Sequence, residues 1–320
     1  MRYHLVLPLL IALSAAPAAP QEAAPVANPA TEDEGATIDF ASLADRMTVP
    51  VSIDGHPSHP FVIDTGAERS VVSRQLAGKL RLAPGPQVRL TTMTGSADVP
   101  TAIVSSLVVG PVQDRQRFNA PALEALHLGA HGLLGVAQLR NHMVSIDFDK
   151  NEMTLRPSRR GGFVRRLTAG AEEIVIVARR SAYGQLILTE AEFEGRRVTV
   201  VVDTGSQISV GNLALQRKLR RIPLKGPITL TSVTGDMLRV NYHVADRVKL
   251  GGIALRGLPV AFADVAPFEK FGLTDEPAVM LGMDALRVFR RVEIDFPARR
   301  IRFLLPKGIH REMDPIMPHS

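Results

Sequence analysis

A chain of 320 residues, 45% hydrophobic and 22% charged, can bury one large or two modest cores and is not dominated by disorder. Its formal charge of +6 gathers in arginine-rich runs at 156–166, 217–221 and 298–302. Aromatics are only 5% and Trp is absent, so the stacking surface of a nucleic-acid binder is missing. The runs read as solvated faces, with attraction to an anionic envelope surface as the weaker reading. The absence of cysteine excludes disulfides, thiolate metal sites, thiol nucleophiles and a lipid-bearing cysteine.

Residues 1–18 place Arg2 before an apolar stretch from Leu5 to Leu13, with Ala16 and Ala18 forming an A-x-A cleavage pattern. The stretch is short for a bilayer span. The expectation is a cleaved signal and a periplasmic or secreted protein, membrane-tethered where the signal stays uncleaved. Residues 19–39, rich in Ala, Pro and acids, read as a flexible tether. From 40 to 158, short β-rich runs such as MTVPVSID, HPFVIDTG and MVSIDFDKNEMTLRP alternate with Gly, Pro and Asp turns, with a short helix expected around 74–80 and, like the one around 284–289 below, a counterpart of it in the other repeat. A connector containing arginine and glycine, 159–182, leads to a second β-rich stretch, 183–306, with a short helix expected around 284–289. The tail, 307–320, has no clear period.

The second stretch repeats the first. Phe61-Val62-Ile63-Asp64-Thr65-Gly66 returns as Val200-Val201-Val202-Asp203-Thr204-Gly205, and Thr91-Thr92-Met93-Thr94-Gly95 as Thr231-Ser232-Val233-Thr234-Gly235. His131-Gly132-Leu133-Leu134-Gly135 returns as Ala278-Val279-Met280-Leu281-Gly282, and Val144-Ser145-Ile146-Asp147-Phe148 as Val292-Glu293-Ile294-Asp295-Phe296. Four landmarks in one order define a duplicated β unit.

An apolar strand that ends on a carboxylate is costly unless the acid has a partner or a task. Here each copy supplies the other's partner. Two carboxylates buried side by side resist double ionisation and hold one proton between them, one acting as base and the other as acid. Gly66 and Gly205 allow the two loops a close approach that a Cβ would obstruct, and Gly135 and Gly282 allow a strand to pass beneath each acid loop. Ser206 follows the second loop where Ala67 follows the first. A hydroxyl donated to Asp203 would make it the more acidic member.

The loops FVIDTGA and VVVDTGS, with GLLG and VMLG behind them, resemble the bacterial retropepsin-like aspartic proteases over nearly the whole stretch from Phe40 to Pro306. The resemblance implies an all-β, two-lobed pepsin/retropepsin-like fold and an aspartic endopeptidase with Asp64 and Asp203 as its catalytic pair. It implies no cofactor and no metal, and it has Thr65 and Thr204 bond across to the opposite loop. Thr91 to Pro100 and Thr231 to Val240 are similar to retropepsin flaps, which puts Thr92, Met93, Thr94, Gly95, Ser232, Val233, Thr234 and Gly235 over an extended polypeptide substrate. Apolar residues are expected around the scissile bond. Neither tip has the tyrosine usual in larger pepsin-like flaps.

The copies differ behind the acids, where LGMDAL carries Asp284 and LGVAQL has Ala137 in that place. Asp284 reads as a residue that fixes its loop. His127 and His131, four apart, read as surface or turn residues ahead of a metal pair, and His56 and His59 as loop residues. The competing function is a noncatalytic periplasmic peptide-binding or scaffold protein of the same fold. A monomer is favoured, with a swapped dimer left open by the connector's length.

Overall fold

The computed structural model describes residues 47–110, 112–158, 173–219 and 221–306. The signal, the tether, the tail and residues 159–172 of the connector lie outside the described residues. The first repeat begins with β1 (Thr48–Ile53), β2 (His59–Ile63), β3 (Val71–Ser73), α1 (Arg74–Lys79), β4 (Pro84–Thr92) and β5 (Gly95–Val104). It continues through β6 (Leu107–Val109), β7 (Val112–Asp114), β8 (Phe118–Leu123), α2 (Ala125–Leu128), β9 (Gly132–Leu134) and α3 (Val136–Leu139). The hairpin β10 (His142–Asp147) and β11 (Glu152–Pro157) closes it. The connector contributes two strands of its own, β12 (Glu173–Val177) and β13 (Arg179–Arg180).

The second repeat begins with β14 (Leu186–Phe193), β15 (Arg196–Val202), β16 (Ser209–Gly211), α4 (Leu213–Leu219), β17 (Lys225–Thr231) and β18 (Met237–Ala245). There follow β19 (Val248–Leu250), β20 (Ile253–Leu255), β21 (Leu258–Phe262), α5 (Ala266–Lys270), β22 (Ala278–Leu281) and α6 (Met283–Leu286). Its closing hairpin is β23 (Arg291–Asp295) and β24 (Arg300–Leu304).

The sheets display the duplication directly. One runs β4-β5-β8-β3-β9-β2-β1-β6-β7, and the other β17-β18-β21-β16-β22-β15-β14-β19-β20, the same order strand for strand, with β13 added beside β14. In each, the strand that carries the acid lies near the middle and pairs in parallel with the strand of the later landmark, Ile63 beside Leu134 and Val202 beside Leu281. Covered on both faces, β2 and β15 need continuous apolar runs, and Phe61 to Ile63 and Val200 to Val202 are all buried. The β-branched residues in these runs suit such a surface.

A third sheet, β11-β10-β23-β24-β12, joins the two lobes. Across its centre Met143 pairs with Asp295 and Asp147 with Arg291. The Arg291 guanidinium also bonds the Asp147 carboxylate. Burial pushes Asp147 up, but that bond, the Lys150 backbone N–H and the nearby cations hold it below the usual carboxylate value. The inner face of this sheet, with Val144, Ile146, Val292, Ile294, Ile301 and Phe303, joins one continuous core with residues of both lobes. The lobes therefore share a base as well as a site.

Local signals explain the helices. Ser73 caps α1, its hydroxyl accepting the Leu76 N–H at 3.1 Å. The helix expected around 284–289 is shorter and earlier, α6, since Gly282 opens it and the Leu286 turn ends it before Phe289. His59, expected in a loop, opens β2 and lies 5.1 Å from the His131 ring between centroids. No helix among the described residues is long and apolar enough to cross a membrane.

Candidate active site

Asp64 and Asp203 stand at the ends of β2 and β15, where each strand leaves its sheet. Backbone bonds hold the departure point: Asp64 N–H to the Leu134 carbonyl at 2.8 Å, and Asp203 N–H to the Leu281 carbonyl at 3.0 Å. Each acid then turns back on its own loop. Asp64 Oδ1 accepts from Gly66 N–H at 3.0 Å and Ala67 N–H at 2.8 Å, and Asp203 Oδ1 accepts from Gly205 N–H at 3.0 Å.

The glycines bring the two acids together. A Cβ added at Gly66 would lie 2.6 Å from Asp203 Cγ, and one at Gly205 would lie 2.3 Å from Asp64 Cγ. Each carboxylate is thus seated on the glycine of the opposite loop, a place only a residue without a side chain can provide. The threonines fix that seat. Thr65 N–H donates to Thr204 Oγ1 and Thr204 N–H donates to Thr65 Oγ1, both at 3.1 Å. Their hydroxyls donate onward to the carbonyls of the opposite strands, Thr65 to Val202 at 2.8 Å and Thr204 to Ile63 at 2.6 Å. All four bonds cross between lobes and are buried, so they are protected from competition by water.

Two carboxylates on facing glycines can share one proton and hold one water between them, the arrangement needed for paired general acid and base. Residues 49–141 match the family model described as gag-polyprotein putative aspartyl protease, and residues 189–285 match the model described as Aspartyl protease. The chain holds two retropepsin-like aspartyl protease domains in tandem. No curated relative matches it. Such domains support aspartic protease activity in general.

Behind the acid loops of this tandem aspartyl protease, sequence reasoning missed a pair of serines. In the first lobe Gly135 N–H donates to Ser70 Oγ at 3.0 Å, and Ser70 donates to Gln138 Oε1 at 2.5 Å. In the second, Gly282 N–H donates to Ser209 Oγ at 3.1 Å, and Ser209 donates to Asp284 Oδ1 at 2.7 Å. Gln138, one position past Ala137, thus supplies the acceptor that Asp284 supplies in the other copy. Both serines lie six residues after their acid, a recurrence the repeat alignment contains. Asp284, partly buried beneath its loop, has its pKa pushed up by desolvation from 3.8 to about 6, despite opposing hydrogen bonds from Ser209 and Ala285. Gly135 and Gly282 pack against the acid loops, a Cβ there meeting the backbone of Arg69 at 2.5 Å and Ile208 at 2.6 Å.

The expected role of the Ser206 hydroxyl is corrected. It donates to the Ile208 carbonyl at 2.7 Å. A hydroxyl has one proton to give, so that of Ser206 stiffens its own loop. Gln185, buried at the start of the second lobe and also missed, braces the other loop by donating to the Gly66 carbonyl at 3.2 Å.

The hairpins β4–β5 and β17–β18 cross over. Met93 at the first tip packs on the cluster of the second lobe that contains Val210, Phe268 and Met280. Val233 at the second tip packs on the cluster of the first lobe that contains Val62, Leu128 and Leu133. The tips meet where Thr94 Oγ1 donates to Asp236 Oδ2 at 3.3 Å. Within each tip two hydroxyls face each other, Thr92 with Thr94 at 3.2 Å and Ser232 with Thr234 at 3.0 Å. Gly235, with φ +93°, lies against the His127 ring, whereas nothing stands within 4 Å of a Cβ built on Gly95. His127 on α2 is therefore a wall behind the second tip. Among the described residues no group of three or more His, Asp or Glu side chains is placed to hold a metal.

Proposed function

We propose that the protein is an exported aspartic endopeptidase in which a water held between Asp64 and Asp203 hydrolyses a peptide bond. The observation that carries this reading is the reciprocal seating of each carboxylate on the other loop's glycine. In the reaction, the ionised member takes a proton from the water as its oxygen attacks the scissile carbonyl carbon. The protonated member gives its proton to the carbonyl oxygen, which neutralises the developing oxyanion. The newly protonated member then gives its proton to the amide nitrogen while the other takes one from the diol, so the C–N bond breaks and the pair again holds one shared proton.

The rest of the site supports the same reading. Thr65 and Thr204 hold the acids in register through both stages. The flap residues Met93 and Val233 roof the space above them, and an extended peptide beneath the hairpins would bind by strand-like main-chain bonds. The apolar clusters that receive both tips favour apolar side chains beside the cut bond. Export rests on residues 1–18, whose Arg2, apolar stretch and Ala16 and Ala18 suit a secretory signal.

The test is cleavage of a mixed peptide library from acid to neutral pH by the chain lacking residues 1–18, beside Asp64→Asn and Asp203→Asn. Cuts made only by the wild type, clustered at apolar positions, are the expected result. Folded proteins that all bind peptide and all fail to cut would establish a noncatalytic peptide binder instead.

A further inference from the structure

The floor of the site is nearly two-fold symmetric, but one flank carries charges that the other lacks. Glu68 stands four residues past Asp64 on the first acid loop, its carbonyl accepting the Ala137 N–H at 2.9 Å. Lys270 ends α5 in the second lobe and donates to Glu68 Oε2 at 2.6 Å. The same ammonium lies 4.4 Å from the centroid of the Tyr183 ring. The helix that carries it packs against β4, a strand of the first flap. Helix α5 thus links the floor of the cleft, through Lys270, to the strand that forms its roof.

At the equivalent place in the other repeat, four residues past Asp203, stands Gln207, and α2, the counterpart of α5, carries in its last turn not a lysine but His127, whose ring lies against Gly235. Arg69 Nε lies 3.8 Å from Glu68 Oε1, so two cations share one carboxylate. Glu269, the neighbour of Lys270, is turned about 100° away on the helix and does not share its face. An ammonium has three protons to donate. One goes to Glu68, and the side chain is 26% exposed, so solvent or a ligand reaches it.

We propose that Lys270 is a specificity-determining residue that receives an acidic side chain of the peptide at this flank, and so fixes which way round the peptide lies across the two aspartates. The proposal rests on the reading of the cleft as a peptide site. Four residues of chain reach at most about 14 Å, so the acidic residue falls within about four positions of the scissile bond, on one side of it. A partly exposed ion pair of this kind gives a preference of roughly two- to five-fold.

The experiment uses matched peptides that differ only by Glu, Gln or Lys at each of four positions on either side of the cut bond. Wild type is expected to favour Glu over Lys by roughly two- to five-fold in kcat/KM at one position on one side. Lys270→Gln, which keeps most of the stem, flattens the preference, and Lys270→Glu inverts it. The same peptides, labelled, are titrated by fluorescence anisotropy into Asp64→Asn, with and without Lys270→Glu. Thermal melts establish that each variant is folded. A preference that persists in Lys270→Glu, or one equal on both sides of the bond, overturns the proposal while leaving proteolysis intact. Charge-selective binding that inverts with Lys270→Glu, without cleavage by wild type, upholds it and instead overturns the proteolytic reading.

Discussion

Replacing Asp284 with Asn isolates a single, partly buried carboxyl beneath the second acid loop. Burial pushes its pKa from 3.8 to about 6, against hydrogen bonds from the Ser209 N–H and hydroxyl and the Ala285 N–H. In the unfolded chain the group releases its proton near 3.8, whereas in the folded chain it holds the proton up to about 6. Between those values the unfolded state binds fewer protons, so this group's contribution to stability falls as pH rises. It is fully present below the unfolded value and lost above the folded one. The loss amounts to about 3 kcal/mol, a tenfold change in proton affinity being worth about 1.4 kcal/mol.

The Asn variant cannot titrate. It sets an amide NH2 or loses an acceptor where Oδ2 takes the Ser209 N–H at 3.0 Å. That cost, about 1–3 kcal/mol, does not vary with pH. The wild-type advantage over Asp284→Asn should therefore shrink by about 2.5 kcal/mol between pH 4 and pH 7. Urea unfolding followed by far-UV circular dichroism measures it, there being no Trp to report by fluorescence. A difference that stays constant would mean that the carboxyl titrates at its ordinary value in the folded protein. A difference that widens would mean that the three donors outweigh burial. Either result refutes the reasoning.

Thr204→Val strands the Ile63 carbonyl and the Thr65 N–H in a buried place, and is expected to cost about 2–4 kcal/mol in urea unfolding and to lower kcat sharply. Thr204→Ser keeps the hydroxyl and should retain most of both. Gly66→Ala drives a Cβ into the Asp203 carboxyl and should reduce turnover by about 100-fold, as ångström-scale misplacement of a reacting group does. Gly78→Ala in α1, where nothing stands within 4 Å, should instead stabilise the fold by about 1 kcal/mol with turnover unchanged. Ser206→Ala should leave the acid limb of the pH–activity profile in place, because the hydroxyl serves Ile208. A limb shifted upward would restore Asp203 as its target.

The duplication was legible because its landmarks are local. Each Asp-Thr-Gly follows an apolar run that only a doubly covered strand requires, and Gly135 and Gly282 recur where the chain must pass close to the acid loop. The cross-lobe bonds of Thr65 and Thr204 came from family resemblance, since nothing in a single loop says which carbonyl a hydroxyl will reach. What stayed hidden depends on side-chain reach. Ala137 aligns with Asp284 but cannot accept a bond, and Gln138 has the length to do so from the next position. Ser206 sits where a short hydroxyl reaches either its loop's acid or the carbonyl two residues on, and the turn decides. Lys270 and Glu68 are 202 residues apart, so their contact has no sequence signal at all.

The pattern of sameness and difference between the repeats follows from where the symmetry axis lies. Asp64 and Asp203, their glycines and their threonines sit about the axis, the threonines touching each other and each carboxylate touching the opposite glycine. A change in one alters the surroundings of the other, and the pair of loops stays alike. A polypeptide has a direction and cannot be two-fold symmetric, so residues away from the axis meet different parts of it. There the copies diverge: Glu68 and Lys270 on one flank against Gln207 on the other, and His127 behind Gly235 against open space at Gly95. A homodimer must present the same wall to both ends of its substrate. Joining the two lobes in one chain lets each wall change alone while the Thr65–Thr204 bonds keep the floor in register.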